Sequence, residues 1–278
     1  MPQAAIAGSP VSHSLSPVLH AAAYRALGLH DWHYGRIECD EDGLAAVLDG
    51  LGPDWAGLSL TMPLKRRGLD LSDEATGLAD AVGAANTLLL SRTQDGTPWR
   101  LADNTDVGGI VDALRAAGVA SVTGPVAVLG AGGTAQAALA ALQELDVLEP
   151  YVMVRDLGRT RDLQATADRI GVSPHMEHWP TGPGPAADTL AAAELVVSTA
   201  PAGAADTLAE LPFSAEQTVL DVVYEPWPTA LAAAARSAGA TVVSGLDLLV
   251  HQAVRQVGLM TGHSVEASVL YAAVQVER

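Results

Sequence analysis

The chain has 278 residues, of which 49% are hydrophobic and 17% charged, a composition that excludes a disordered chain. At about 150 residues per domain this length favours two domains. Lys and Arg number 15 and Asp and Glu 32, so the formal net charge is −17 at pH 7. That charge repels nucleic acid phosphates and anionic lipid, so we expect neither nucleic acid nor membrane as a partner.

The cellular setting is predicted from cysteine content and hydropathy. A single cysteine, Cys39, excludes an internal disulfide and is compatible with a reducing compartment. Residues 1–17 contain no Lys or Arg and are broken by Gly8, Pro10 and Pro17, which is unlike a secretory signal. No stretch reaches about 18 uncharged apolar residues, so no membrane-spanning helix is expected. We therefore expect a cytoplasmic protein.

The first part of the chain alternates short apolar runs with apolar residues at helical spacing. Ser16 followed by Pro17 predicts the N-cap and first position of a helix that ends at Gly28. The predicted elements are strands at 4–8, 33–37 and 57–61 and helices at 17–27 and 42–51. This alternation predicts an α/β layer structure.

A second unit begins near Asn104 and repeats strand and helix in a way typical of a doubly wound parallel sheet. Its predicted helices lie at 107–117 and 132–145, and its strands at 125–130, 151–155, 195–199, 219–223 and 241–243. Segment 181–185 is predicted as a loop. Residues 246–276 are predicted as helical, with a break at Gly262, and could return to the first domain.

The expected organisation is therefore a two-domain α/β protein. An N-terminal α/β substrate-binding and catalytic domain spans 1–104 and is joined by the C-terminal helices of 246–278. A Rossmann-like, doubly wound dinucleotide-binding domain spans 105–245.

The motif Gly130-Ala131-Gly132-Gly133-Thr134-Ala135 fits the dinucleotide pattern G-x-G-x-x-[GA]. It follows a predicted strand and opens a predicted helix, which is the context that this pattern requires. Gly130 allows the tight turn, Gly132 lets the backbone approach a pyrophosphate, and Ala135 allows close helix packing. The free N–H groups of Gly133 and Thr134 would then attract phosphates, whereas the alternative is a plain glycine-rich turn.

Cofactor choice is predicted from Val154-Arg155-Asp156, about 20 residues beyond the glycine motif, where the adenosine ribose is read. Arg155, with Arg159 one turn later, favours NADP because guanidinium groups pair with a 2′-phosphate. Asp156 would oppose such a phosphate and is the feature expected for NAD. We expect NADP rather than NAD, with solvated loop charges as the alternative interpretation.

Polar residues in the first domain form a candidate site. Ser14 and Ser16 would face one side in an extended chain and could bind a carboxylate or polyol, although helix capping explains Ser16 equally well. Lys65 beside an acid could donate a proton to a developing alkoxide, and Asp106 is the best-placed acid. Asn86 supplies neutral donors and acceptors for hydroxyl groups. A solvated Lys65 and a capping Asp106 are the alternatives.

No metal site is expected. His175 and His178 are three residues apart in a segment broken by proline, with no clear third ligand, whereas zinc sites use three or four protein ligands. His13 is the only histidine near the polar residues of the first domain, and a structural role is expected for it.

Together these residues resemble the shikimate dehydrogenase family over nearly the whole chain. The motifs that carry the resemblance are Ser14-Leu15-Ser16-Pro17, Thr61-Met62-Pro63-Leu64-Lys65, Ala85-Asn86-Thr87, Asn104-Thr105-Asp106, Asp221 to Pro226 and Gly245 to Gln252. The resemblance implies reversible, NADPH-dependent reduction of 3-dehydroshikimate to shikimate in chorismate and aromatic amino acid biosynthesis. It implies Lys65 and Asp106 as the catalytic pair.

The resemblance also implies binding roles. Ser14 and Ser16 would bind the substrate carboxylate, and Thr61, Asn86, Asp106 and Gln252 would surround its hydroxyls. Tyr224 would lie near substrate and nicotinamide, and Gly245 would contact the cofactor.

Two departures from the family pattern affect the expectations. Ser59 stands where the family usually has asparagine, and the shorter side chain is expected to loosen the wall behind Thr61. Val154 and Asp156 replace two polar residues around Arg155, which bears on cofactor preference. Quinate or amino-shikimate dehydrogenase activity and a noncatalytic ligand sensor remain as alternatives, and a homodimer is left open.

Overall fold

The computed structural model describes residues 1–180 and 182–275, and its chain divides into two units. One unit contains Met1–Gly109 and the chain from Leu249 onward, and the other is Ile110–Leu248. Both boundaries fall inside helices rather than in loops. No helix in the described part of the chain is long and apolar enough to cross a membrane.

A six-stranded mixed sheet forms the first unit, in the order β2-β1-β3-β5-β6-β4. Its strands are β1 (Gln3–Gly8), β2 (His33–Glu38), β3 (Trp55–Leu60), β4 (Glu74–Ala75), β5 (Thr87–Arg92) and β6 (Pro98–Asp103). Its helices are α1 (Ser16–Ala26), α2 (Leu44–Gly50), α3 (Lys65–Asp70), α4 (Gly77–Val82) and the start of α5 (Thr105–Ala116). β1 lies parallel between β2 and β3, and its buried apolar run suits a strand covered on both faces.

The predicted site residues of the first unit lie at one edge of this sheet, where several strand ends meet. β5 is antiparallel to β3 and β6, so the carboxyl ends of β1, β3 and β6 meet the amino end of β5 at the same edge. Thr61, Asn86 and Asn104 each lie next to one of these strand ends. The pairing of the strands thus brings together polar residues that are far apart in the sequence.

The second unit is an all-parallel sheet in the order β12-β11-β10-β7-β8-β9, as expected for a doubly wound dinucleotide-binding fold. Its strands are β7 (Val126–Leu129), β8 (Tyr151–Val154), β9 (His175–His178), β10 (Leu195–Ser198), β11 (Thr218–Asp221) and β12 (Thr241–Ser244). Its helices are α6 (Gly133–Gln143), α7 (Arg161–Ile170), α8 (Pro185–Ala192) and α9 (Ala230–Ser237). The central strand β7 is fully buried, as its apolar sequence predicts.

Two further helices complete the described chain: α10 (Gly245–Thr261), which begins in the second unit and continues in the first, and α11 (Ala267–Gln275). Gly262 has φ +73° after α10, which is the predicted break. α11 packs on α1, with Leu270 and Val274 buried. The predicted helical end at 276 lies outside the described residues.

Several sequence predictions were wrong in detail. Ser16 is not the N-cap of α1: Leu15 is, and it makes no side-chain cap bond. The helix predicted at 42–51 is shorter, Leu44–Gly50. Of the predicted loop at 181–185, residue 181 lies outside the described chain and Pro185 begins α8.

The β5–β6 hairpin was missed, although its turn carries a recognisable signal. Asp95-Gly96 joins the strands, Gly96 adopts φ +86°, and the Thr93 N–H donates to the Thr97 carbonyl over 2.9 Å. An Asp-Gly pair between two apolar segments is typical of a hairpin.

Candidate active site

Lys65 and Asp106 form a close ion pair in the first unit. Lys65 is the first residue of α3, after the short turn that follows β3, and Asp106 is the second residue of α5. Lys65 Nζ lies 2.6 Å from Asp106 Oδ2, with side-chain exposures of 20% and 4%. The carboxylate is therefore shielded while the ammonium group keeps access to solvent, which suits a group that must meet a ligand.

Asn86 fixes the other oxygen of this carboxylate. Its Nδ2 donates to Asp106 Oδ1 over 2.8 Å and also lies 2.8 Å from Gln252 Oε1. Its Oδ1 accepts from the Thr105 backbone N–H over 2.8 Å. Because a backbone N–H can only donate, the Asn86 amide is held with its NH₂ group towards Asp106 and Gln252.

The first turn of α5 further orients Asp106. Asn104 Oδ1 accepts from the Asp106 N–H over 3.1 Å, and Asn104 Nδ2 donates to the Ala84 carbonyl over 2.7 Å. A carboxylate in the first helical turn is also stabilised by the helix dipole. Asn104 thus caps the start of α5. The carboxylate oxygens of Asp106 are not used for capping and bind Lys65 and Asn86 instead.

Ser14 lies on the loop between β1 and α1, and Ser16 is the first residue of α1. Ser14 Oγ accepts from the Ser16 N–H over 3.3 Å, and Arg36 Nη2 donates to the Ser14 carbonyl over 2.8 Å. Glu38 accepts from Ser9 Oγ and from the Val11 N–H over 2.7 and 3.0 Å. The Ser9 hydrogen bond keeps the pKa of the Glu38 carboxyl below its usual value. β2 therefore anchors the loop that carries Ser14 and leads into Ser16.

Thr61 lies at the end of β3, close against the end of β1. Its N–H donates to the Ala7 carbonyl over 2.9 Å. Gly8 has φ +159°, and a Cβ there would overlap the Thr61 methyl group and approach the Met62 carbonyl to 2.9 Å. The glycine is needed so that Thr61 and the Met62 carbonyl can lie this close to the end of β1.

A buried hydrogen-bonded group next to Asn86 was missed in the sequence. Tyr34 OH donates to Ser59 Oγ over 2.6 Å, and Ser59 Oγ donates to Gln256 Oε1 over 2.8 Å. Gln256 Nε2 donates to Thr87 Oγ1 over 3.0 Å. Gln256 follows Gln252 by four residues on α10, a spacing that puts both on one helix face and could have signalled the second residue.

Ser59 does not loosen its surroundings as expected. It is 2% exposed, and its hydroxyl both accepts from Tyr34 and donates to Gln256. Burial raises the pKa of Tyr34, so its phenol stays protonated. Two neighbouring side chains thus satisfy the short hydroxyl, an arrangement that only the tertiary structure brings together.

The glycine motif of the second unit has the geometry of a dinucleotide loop. Gly130 follows β7 with φ +113°, and a Cβ there would lie 2.5 Å from Thr199 Oγ1. Gly132 is the N-cap of α6 and supplies no side-chain cap bond to Gly133 and Thr134 in the first turn. Ala135 is fully buried. The turn thus presents backbone N–H groups at a helix start, the arrangement that binds phosphates.

Arg155 and Arg159 are exposed after β8, where the sequence places the ribose-reading residues. Asp156 Oδ1 accepts from the Gly158 N–H over 2.9 Å and caps a short 3₁₀ turn, Leu157–Arg159. This capping hydrogen bond gives Asp156 a structural role, which explains an acidic residue beside Arg155.

Tyr224 and Gly245 lie in the second unit. Burial raises the pKa of the Tyr224 phenol. Gly245 begins α10, donates its N–H to the Val223 carbonyl over 3.2 Å, and would place a Cβ onto the Val222 carbonyl. The close backbone approach explains why this position is glycine.

His175 and His178 lie on β9 rather than in irregular chain, which corrects the sequence interpretation. At three residues apart on a strand, their side chains point to opposite faces. The described residues contain no group of three or more potential metal-ligating side chains.

A doubly wound dinucleotide fold, a glycine loop at a helix start and a shielded ammonium–carboxylate pair together define a dinucleotide-dependent oxidoreductase. Shikimate dehydrogenase (NADP(+)) of Caulobacter vibrioides is 35% identical over 256 residues, which cover 90% of this chain and 86% of that one. A family model described as "Shikimate dehydrogenase substrate binding domain" matches residues 6–88. The chain belongs to the shikimate dehydrogenase family.

Solved structures agree with this membership. Mycobacterium tuberculosis shikimate dehydrogenase is 45% identical, with a TM-score of 0.85, and the match covers 98% of this chain and 100% of that one. The Thermus thermophilus enzyme in complex with NADP(H) and shikimate is 31% identical, with a TM-score of 0.83, and both chains are covered completely, at 100%.

Proposed function

We propose that this protein is a shikimate dehydrogenase that catalyses the reversible reduction of 3-dehydroshikimate to shikimate with NADPH. The observation that carries the proposal is the 2.6 Å pair of Lys65 and Asp106. The chain that carries this pair belongs to a family whose members include a relative named shikimate dehydrogenase (NADP(+)). This function belongs to chorismate and aromatic amino acid biosynthesis.

The proposed reaction needs one hydride and one proton. NADPH supplies the hydride to the C3 carbonyl carbon, and the carbonyl oxygen becomes an alkoxide. Lys65 stabilises that alkoxide and gives it a proton from Nζ. Asp106 orients the ammonium group through Oδ2, and Asn86 keeps the carboxylate from rotating through its bond to Oδ1.

We propose substrate binding by the polar residues at the edge of the first sheet. Ser14 and Ser16 bind the carboxylate, supported by the anchoring of their loop to Arg36 and Glu38. Thr61, Asn86 and Gln252 bind ring hydroxyls, and Tyr224 is a further proposed substrate-binding residue. The first unit, Met1–Gly109 with the chain from Leu249 onward, is thus assigned to substrate, and Ile110–Leu248 is assigned to NADP.

NADP is held, in this proposal, by the glycine motif and by the exposed arginines beyond β8. Gly130, Gly132, Gly133, Thr134 and Ala135 form the turn and helix start against the pyrophosphate. Arg155 and Arg159 pair with the 2′-phosphate, supported by the engagement of Asp156 with the Gly158 N–H. Gly245 keeps the start of α10 close to the β11 loop.

An absorbance assay of the purified protein tests this function. Shikimate should reduce NADP⁺ faster than NAD⁺, and quinate should be a poorer substrate than shikimate. Preference for quinate with NAD⁺ would instead favour the quinate dehydrogenase alternative. Shikimate binding without reduction of either cofactor would favour a ligand sensor and contradict the proposal.

Lys65→Met tests the catalytic pair. Loss of the proton donor should lower kcat by about 10²- to 10⁴-fold with a much smaller change in KM. Arg66→Met, which removes a positive charge from the next residue of α3, is the matched control and should retain kcat. An unchanged kcat in Lys65→Met would remove Lys65 from the mechanism.

A further inference from the structure

A chain of buried side chains runs from β2 to the catalytic carboxylate. We call it the Tyr34 chain, and its members come from β2, β3, the β5 edge and α10. They are Tyr34, Ser59, Gln256, Thr87 and Asn86. All are at most 6% exposed. Because water cannot replace these bonds, each group depends on its protein partner.

Two backbone groups determine which way the amides of this chain face. The Thr105 N–H can only donate, and it meets Asn86 Oδ1 at 2.8 Å. The Asn86 carbonyl can only accept, and it meets Gln256 Nε2 at 3.3 Å. Gln256 Oε1 must therefore face Ser59, and Asn86 Nδ2 must face Asp106.

The orientation of the amides determines the direction in which each hydroxyl group donates its proton. Ser59 Oγ must donate to Gln256 Oε1 over 2.8 Å, so the Tyr34 phenol is the donor to Ser59 over 2.6 Å. Thr87 Oγ1 accepts from Gln256 Nε2 and donates to Asn86 Oδ1 over 2.9 Å. Every proton in the Tyr34 chain thus points along the chain towards Asp106, and bonds aligned in this way polarise one another.

The beginning of the Tyr34 chain is also held in place. The ring of His20 stacks on Tyr34, with centroids 3.9 Å apart and planes 18° from parallel. One end of the chain therefore packs against α1, and the other end holds the proposed catalytic pair.

We propose that Tyr34 is a positioning residue for the reaction, acting through the Tyr34 chain to hold Asp106 and thereby Lys65. This inference rests on the proposed function of Lys65. Tyr34 itself needs no contact with substrate or cofactor. Its hydroxyl donates to Ser59 and so holds Gln256 in place. Gln256 in turn binds Thr87 Oγ1 and the backbone carbonyl of Asn86, the residue whose amide binds Asp106.

Tyr34→Phe removes the first donor and keeps the ring against His20. We expect kcat to fall about 5- to 10-fold, the effect of losing one hydrogen bond, with KM for shikimate within about twofold of wild type. Tyr24→Phe is the matched control, because Tyr24 is a second buried tyrosine of the same core and meets His20 Nδ1 only at 3.4 Å. Its kcat should stay within about twofold of wild type.

A double-mutant cycle separates positioning from simple destabilisation. If Tyr34 acts through Lys65, Tyr34→Phe should change the residual rate of the Lys65→Met enzyme by less than about twofold. An equal loss in both backgrounds, or a kcat equal to that of Tyr24→Phe, would overturn the proposal. Full activity of Lys65→Met alone would instead show that the proposed role of Lys65 had failed. Urea unfolding of each variant checks that the fold is retained.

Discussion

At the scale of single residues, His20 is a titratable group buried without a charged partner. Its side chain is completely buried in α1, stacks on Tyr34, and its Nε2 makes no hydrogen bond. Burial lowers the pKa of His20 from 6.5 to about 3, while the neighbouring Gln256 amide opposes part of that change. The folded protein therefore holds a neutral imidazole throughout the neutral pH range.

This burial predicts a loss of stability in mild acid. Between pH 6.5 and about 3 the unfolded chain binds a proton at His20 that the folded chain does not bind, so stability falls as pH falls. The slope is about 1.4 kcal/mol per pH unit, which gives about 2 kcal/mol between pH 7 and pH 5. Urea unfolding of wild type and His20→Phe at both pH values measures it.

The substitution keeps a ring against Tyr34 and removes the titration. Wild type should lose about 2 kcal/mol more than His20→Phe between the two pH values. Parallel stability curves would show that His20 gains a proton in the folded protein and contradict its burial as a neutral group.

At the scale of elements, the two glycines of α10 have opposite surroundings. A Cβ on Gly245 would overlap the Val222 carbonyl, which belongs to backbone and cannot rotate away. A Cβ on Gly258 would meet only the His263 carbonyl at 3.8 Å, an ordinary contact. The same helix therefore contains one glycine required by packing and one that packing does not require.

Gly245→Ala should destabilise the protein by about 3 kcal/mol or more, because the helix start must move away from the β11 loop. Gly258→Ala should raise stability by up to about 1 kcal/mol, the cost of glycine inside a helix. Urea unfolding midpoints of the two variants measure the difference. Equal midpoints would contradict the close backbone approach at Gly245.

Elements differ in how well the sequence predicts them. The turn from β7 into α6 was predicted because its glycines, its preceding apolar strand and its following helix are all local. Strand β9 was missed because its His175–His178 sequence has no run of apolar residues, and it forms only by pairing with β8. Local sequence thus predicts buried strands better than polar edge strands.

At the scale of the whole molecule, the first unit is built from both ends of the chain. Met1–Gly109 contains α1, and α11 packs on it from the C-terminal segment. Leu270 of α11 is completely buried. Stability of the first unit therefore depends on helices that are far apart in the sequence.

Leu270→Ala should lower the free energy of unfolding by about 2–5 kcal/mol, because it leaves a cavity between α11 and α1. Hydrogen–deuterium exchange should show faster exchange in α1, at the opposite end of the sequence, as well as in α11. Ala272→Ser, an exposed position of the same helix, is the control and should change neither. Faster exchange confined to α11 would contradict a single unit built from both ends.

Local periodicity and motifs in fixed order were enough to predict the α/β class, the doubly wound second unit, the glycine turn and the family. The sequence also predicted from their motifs that Lys65 and Asp106 act as a catalytic pair. Only the tertiary structure decided that Asn86 orients this pair, that Ser59 is satisfied by Tyr34 and Gln256, and that Asp156 caps a turn. Such partners are separated by long stretches of sequence, and a hydrogen bond forms only where folding places donor and acceptor within about 3 Å of each other.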